Sequence, residues 1–241
     1  MSWIATADCN SMNYFAHGRD HLHRPYFLAG TAIPDLLSVV DRRMRVRRRH
    51  AQTFLDQPDV LCAEVAAGIL QHLDDDRWFH QTRAFAELSL QFTRDLRAVL
   101  PEDDSYRPSF LGHILVEILL DAVLIEQQPE RLDAYYAAFE TIDPRVLSDA
   151  VNRMASRRSD TLAAFIPRFL SERFLYDYPD DAKLLGRLNH VMRRVKLTPL
   201  PSSILEFLPP ARSEVRARRV ELLSPDPNTP SPSDPSGGTL S

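Results

Sequence analysis

The chain has 241 residues, 44% of them apolar and 26% charged, with a formal net charge of −4. That length holds one sizeable core, the composition is ordinary for a globular protein, and the acidic balance excludes a bulk nucleic-acid binder. Only 7 glycines occur, two of them at positions 237 and 238; this is too few for a β-sandwich or a Gly-rich phosphate loop, and no GxGxxG or Walker pattern is present.

Residues 1–11 carry no periodicity and read as an extension ahead of a domain spanning 12–223. His21 and His23 fall in an expected loop. Six arginines crowd "RRMRVRRRH", Arg42–His50. The run reads either as a solvated helix face or as a docking patch for an acidic partner or a phosphate, which the Arg fork suits. "DVLCAEVAAGILQHL" from Asp59 has helical apolar spacing, and its register continues to His80. Arg83–Leu100 is amphipathic and stops at Pro101. Phe110–Glu126 is apolar almost all round, which marks a central helix. Its apolar run "ILVEILLDAVLI" is 12 residues long and carries Glu117 and Asp121, too short and too charged to span a bilayer. Further helices are expected over Arg131–Glu140, Pro144–Met154, Asp160–Tyr176, Asp180–Val195 and Ala211–Leu223. Residues 224–241 hold five prolines and one large apolar side chain, and read as a disordered tail. The fold class is therefore all-α, one compact multi-helix domain. Cys9 and Cys62 are the only cysteines, which excludes a disulfide framework and a CxxC zinc site. The N-terminus does not read as a secretory signal, so a cytoplasmic setting is the default expectation.

The chemistry-bearing residues concentrate in "GILQHLDDDRWFH", Gly68–His80. Residues four apart on an α-helix nearly eclipse, so His72 and Asp76 can chelate one cation. His80 lies ~12 Å along the axis from His72 and serves a second ion or none. Asp74 and Asp75 point elsewhere and are expected to be solvated. Spacing alone is weak evidence: chance gives about one His-x-x-x-acid pair in this composition, and two occur, His72/Asp76 and His113/Glu117. In the central helix His113, Glu117 and Asp121 form one polar stripe. It either faces water or lies buried, where a carboxylate and an imidazole survive only if paired or metal-bound. Gly18, Gly30, Gly68 and Gly112 sit close to His17, Asp35, His72 and His113, where missing side chains let backbones and a substrate approach.

These residues resemble the acyl carrier protein phosphodiesterase family, whose fold is related to the HD-domain metal phosphohydrolases. The motifs are "MNYFAH" at Met12–His17, Gly30 with Asp35, Gly68-Ile69-x-x-His72-x-x-x-Asp76, and "RFLYDYPDDAKLLGRLNHVMRR" ending at Arg194. The similarity spans roughly Met12 to Leu197; each motif is short, and their order is the stronger sign. It implies a divalent metal supporting hydrolysis of the diester that joins 4′-phosphopantetheine to a carrier-protein serine. On that basis His17, Asp35, His72 and Asp76 form the expected core ligand set. His50, His80, His113 and Glu117 depart from the family pattern and are candidates for a second ion or its surroundings. Asp35, Asp76 and Asp121 are the expected catalytic carboxylates, with Asp121 or Glu117 orienting the attacking water. Nitrogen and oxygen ligands without thiolate suit Mn²⁺, Fe²⁺ or Zn²⁺. Acyl carrier protein is the implied partner, docking through Arg42–Arg49. The imidazole enrichment is also similar to zinc-dependent phospholipase C, so a lipid-head-group phosphohydrolase stays open. So does a helical binding protein that keeps the scaffold without catalysis.

Overall fold

A computed structural model describes residues 13–41 and 43–225. The expected N-terminal extension, Met12 and nearly all of the expected tail lie outside the described residues. Among the described residues there are twelve α-helices and no strand, the extended backbone being limited to an isolated bridge between Val46 and Ala155.

The helices begin where local chemistry starts them. Asp59 caps α4 (Val60–Phe79), accepting the Cys62 N–H at 3.1 Å, and Thr82 caps α5 (Arg83–Val99), accepting from Phe85. Proline at the first position opens α2 (Pro25–Val40), α6 (Pro108–Gln127), α7 (Pro129–Glu140) and α8 (Pro144–Met154). The rest of the set is α1 (Tyr14–Gly18), α3 (Arg48–Gln52), α9 (Thr161–Glu172), α10 (Asp181–Arg194), α11 (Ile204–Ala217) and α12 (Arg219–Leu222).

Three expected helices have other bounds. The one expected over Asp160–Tyr176 ends at Glu172, because Arg173 turns left-handed with φ 41° and a 3-10 turn follows. The last long helix starts at Ile204 rather than Ala211 and runs through Pro209 and Pro210, which sit on its exposed face. Of the arginine run, residues 43–47 are not helical; the helix begins only at Arg48.

Helix α6 is the core helix. Its 20 residues are long and apolar enough to cross a membrane by length and composition, more than the 12-residue run suggested, and 78% of its apolar window is buried inside the protein. Helices α2 and α4 pack backbone against backbone at Gly30 and Gly68. A Cβ on Gly68 would lie 2.1 Å from the Phe27 carbonyl oxygen, and one on Gly30 would lie 2.5 Å from that of Val65. This contact matters for the site, because His72 lies one turn past Gly68 and Asp35 five residues past Gly30.

Candidate metal centre

Helix α1 is only five residues long and its N-cap, Asn13, makes no side-chain capping bond. Asp121 of α6 supplies the missing acceptor: its Oδ2 accepts the Phe15 N–H at 2.9 Å and its Oδ1 the Ala16 N–H at 2.8 Å. Each oxygen thus accepts one backbone N–H, and the residue pins α1, and with it His17, to the core helix. Burial pushes its carboxyl up to about 7, against the pull of those two N–H groups.

His17, so placed, meets His72 with ring centroids 4.3 Å apart. With Asp76 they form a group whose ligand atoms all lie within 4.8 Å of one another. His17 Nε2 and His72 Nδ1 are buried and have no hydrogen-bond partner. Orphaned buried nitrogens are rare in folded proteins and ask for a reason; a cation held between them is the simplest. Burial first, and the adjacent His17 second, hold His72 well below the usual imidazole range. Its ring is therefore neutral at pH 7, as a ligand must be.

The other nitrogen of His17, Nδ1, lies 3.3 Å from Asp75 Oδ2. Asp75 is itself held by Gln71 Nε2 at 2.8 Å and Trp78 Nε1 at 3.2 Å, both donating to Oδ1. Sequence reasoning had Asp75 solvated. The signal that would have found it is Gln71, Asp75 and Trp78 at i, i+4 and i+7, one stripe of α4. Carboxylate to imidazole to cation is the usual arrangement that selects a tautomer and aims the free nitrogen. Asp74 is not free either: Arg48 grips it at 2.6 and 3.1 Å.

A second group comprises His80, His113 and Glu117. Glu117, fully buried on α6, bonds His80 Nε2 at 2.8 Å, and His113 Nε2 lies 3.3 Å from the same oxygen outside hydrogen-bond geometry. Burial alone would raise its carboxyl, but the two imidazoles outweigh it and keep the group below the usual range. For His80, burial works against the cation while Glu117 and Asp76 raise the ring above its ordinary value. The two groups touch: His80 Nδ1 is 3.5 Å from Asp76 Oδ1. His80 reaches this position from the C-cap of α4, where the backbone leaves the helix.

Asp35, expected in the core set, joins neither group. It is buried, its Oδ2 has no hydrogen-bond partner, and burial, then Glu117, Asp76 and Asp121, push its carboxyl well above the usual range. His50 joins neither group as well, which corrects its place as a second-ion candidate. Its neighbour Arg48 on α3 pairs with Asp74, and Asp74 lies two residues, ~200° around the helix, from Asp76. The buried stripe of α6 is real for Glu117 and Asp121, both fully buried, while His113 is half-buried. The glycines serve backbone packing: Gly18 meets Leu28 and Tyr135, and Gly112 meets Ser89 and Thr93. A cleft of about 180 Å³ beside the first group is lined by His17, Asp75, Trp78, Arg19 and His21 among others.

The fold and site define an all-α protein with two adjoining His/carboxylate groups able to hold cations. Compared with known proteins, the chain matches no family model, no curated protein and no solved structure.

Proposed function

We propose that the protein is a metal-dependent phosphodiester hydrolase. The observation that carries the reading is the pair of orphaned, buried imidazole nitrogens on His17 and His72 beside Asp76. In this reading His17, His72 and Asp76 hold one cation, and His80, His113 and Glu117 a second. Asp76 lies between the two sets, since it also neighbours His80. The donors are nitrogen and oxygen only, a set that fits Mn²⁺, Fe²⁺ or Zn²⁺. Bound cations would supply water of lowered pKa and neutralise charge gathering on phosphoryl oxygens.

The chain's own residues do the rest. Asp75 aims His17, Asp121 holds α1 in place, and buried Asp35, its carboxyl raised by burial, lies within electrostatic reach of Glu117 and Asp76. The resemblance in motif order points to a carrier-protein phosphopantetheine diester as substrate, in a cytoplasmic setting, with the exposed Arg43, Arg47 and Arg49 as docking contacts. A phospholipase-like substrate uses the same chemistry without those contacts.

The test is hydrolysis of bis(p-nitrophenyl) phosphate by protein reloaded with Mn²⁺ or Zn²⁺. Asp76→Asn should lower both bound metal and turnover by ~100-fold or more, while Asp74→Asn, which only releases Arg48, stays within a few fold. Equal behaviour of the two variants, or no hydrolysis with either metal, contradicts the reading.

A further inference from the structure

The arginine-rich stretch does not form one helix face. Residues 43–47 are not helical; Val46 bridges Ala155, and the Ser156 N–H donates to the Arg45 carbonyl oxygen at 2.9 Å. This bridge brings a second pair, Arg157 and Arg158, beside the first set. Arg153 ties in the turn between α3 and α4: its guanidinium lies over the Phe54 ring at 5.3 Å and bonds Asp59 at 2.6 Å. Segments distant in sequence thus meet on one surface.

The charges of this surface do not cancel. Positions 42–49 and 153–158 carry nine arginines, against six aspartates that pair with or flank them, Asp41, Asp56, Asp59, Asp74, Asp149 and Asp160. The excess is three positive charges in a chain whose net charge is −4. Arg48 is held by Asp74 at 2.6 Å, Arg153 by Asp59, and Arg157 lies 3.6 Å from Asp41. Arg45 donates to the Met44 carbonyl oxygen at 2.9 Å. Arg43, Arg47, Arg49 and Arg158 are exposed and enter no ion pair among the described residues.

A turn projects beside these arginines. Nine of the ten residues from Gln52 to Leu61 are exposed, and Leu55, Val60 and Leu61 keep 42%, 70% and 41% of their surface in solvent. They are three of the eight large apolar side chains exposed among the described residues. Exposed apolar side chains gathered in one place mark a contact surface. A single-stranded nucleic acid asks for exposed aromatic rings to stack on, and the ring in this turn, Phe54, is half-buried beneath Arg153. Aliphatic tips beside guanidiniums suit a bilayer: the guanidinium fork takes lipid phosphates, and the tips enter the boundary between head groups and acyl chains.

We infer that this surface docks the protein on an anionic lipid bilayer, with Arg43, Arg47, Arg49 and Arg158 on head-group phosphates and Leu55, Val60 and Leu61 in the interface. The inference is independent of the metal centre, because none of these residues belongs to either metal-competent group. It gives to a bilayer the arginines that a carrier protein would otherwise use.

The experiment is co-sedimentation of the full chain with vesicles of phosphatidylcholine, alone or with a third of the lipid as phosphatidylserine. The mixed vesicles should bind at least ~10-fold more tightly, and raising salt from about 0.05 M to about 0.5 M should remove that advantage. Arg47→Ser and Arg158→Ser should each weaken binding to mixed vesicles by ~5-fold, and together by ~25-fold, as the two bridged segments act on one membrane. Val60→Ser should weaken it by ~3-fold or more at unchanged thermal midpoint. Asp56→Ser, which removes a flanking negative charge, should strengthen it. The inference is overturned by equal binding to the two vesicle types, by binding to neither, or by wild-type binding in Arg158→Ser. Wild-type binding in Val60→Ser also overturns it, and leaves the arginines to an acidic protein.

Discussion

Replacing Asp121 with Asn separates an anchor from a catalytic base. The asparagine oxygen accepts one of the two backbone N–H groups that the carboxylate now serves, Phe15 at 2.9 Å and Ala16 at 2.8 Å. The other is left facing an amide NH₂, a loss of about 1–3 kcal/mol for a buried donor. The pH dependence has a definite sign. Burial raises the Asp121 carboxyl from 3.8 to about 7 in the folded protein, so between those values the folded state holds a proton that the unfolded chain has released. That contribution, ~4 kcal/mol as an upper bound, is fully present below pH 4 and is lost as pH rises through 7. Asp35, also raised by burial, acts in the same direction. The opposite pull of buried His72, held low by burial, is common to both proteins, so urea unfolding in the presence of a chelator should show the wild type losing stability relative to Asp121→Asn between pH 5 and pH 8. The deficit of the variant is then largest at pH 5 and narrows by pH 8. Metal titration should show the His17 set weakened by ~10–100-fold, as for loss of a supporting contact, with the His80 set intact. Unchanged stability and metal binding with turnover abolished would refute the anchor and return Asp121 to the reacting water.

Gly68→Ala places a Cβ 2.1 Å from the Phe27 carbonyl oxygen, which backbone cannot yield to, and should cost about 3 kcal/mol or more. Gly186→Ala, with nothing within 4 Å inside α10, should instead stabilise by ~0.5–1 kcal/mol; equal effects of the two in urea unfolding would contradict the packing described. Asp75→Asn removes the carboxylate from His17 Nδ1 and should weaken the first cation by ~10–100-fold while shifting the emission of Trp78, which now donates to the same carboxylate. A shifted emission with unchanged metal affinity would make Asp75 a fold contact only.

The helices with a regular apolar period were legible. Pro144–Met154 was read with its observed bounds, and α4, α5 and α6 to within a residue or two. Helix α2 was not read as a helix, because Gly30 and Pro34 interrupt it; Pro34 removes the helical bond to the Gly30 carbonyl, and tertiary packing on α4 holds the helix regardless. Pro209 and Pro210 hid the start of α11 in the same way. At the site, the pairs His72/Asp76 and His113/Glu117 are visible as i, i+4 spacings on helices. The meeting of His17 with His72, and of His80 with Glu117, joins residues 55 and 37 positions apart through the packing of α1, α4 and α6. No spacing rule reaches that far, which is why the contact of Asp121 with α1 is not visible in the sequence, while Asp75 sits on a visible stripe with Gln71 and Trp78 whose meaning emerges only once His17 lies beside it.

The central claim is that two cation sets adjoin in one chain. Protein stripped with chelator and titrated with Zn²⁺ and Mn²⁺, with metal content then measured by mass spectrometry, tests it directly. The account predicts two ions per chain, one lost in His17→Ala and the other in His113→Ala, in keeping with the two groups of three ligands. No ion retained by the wild type, or two ions retained by either variant, would contradict it.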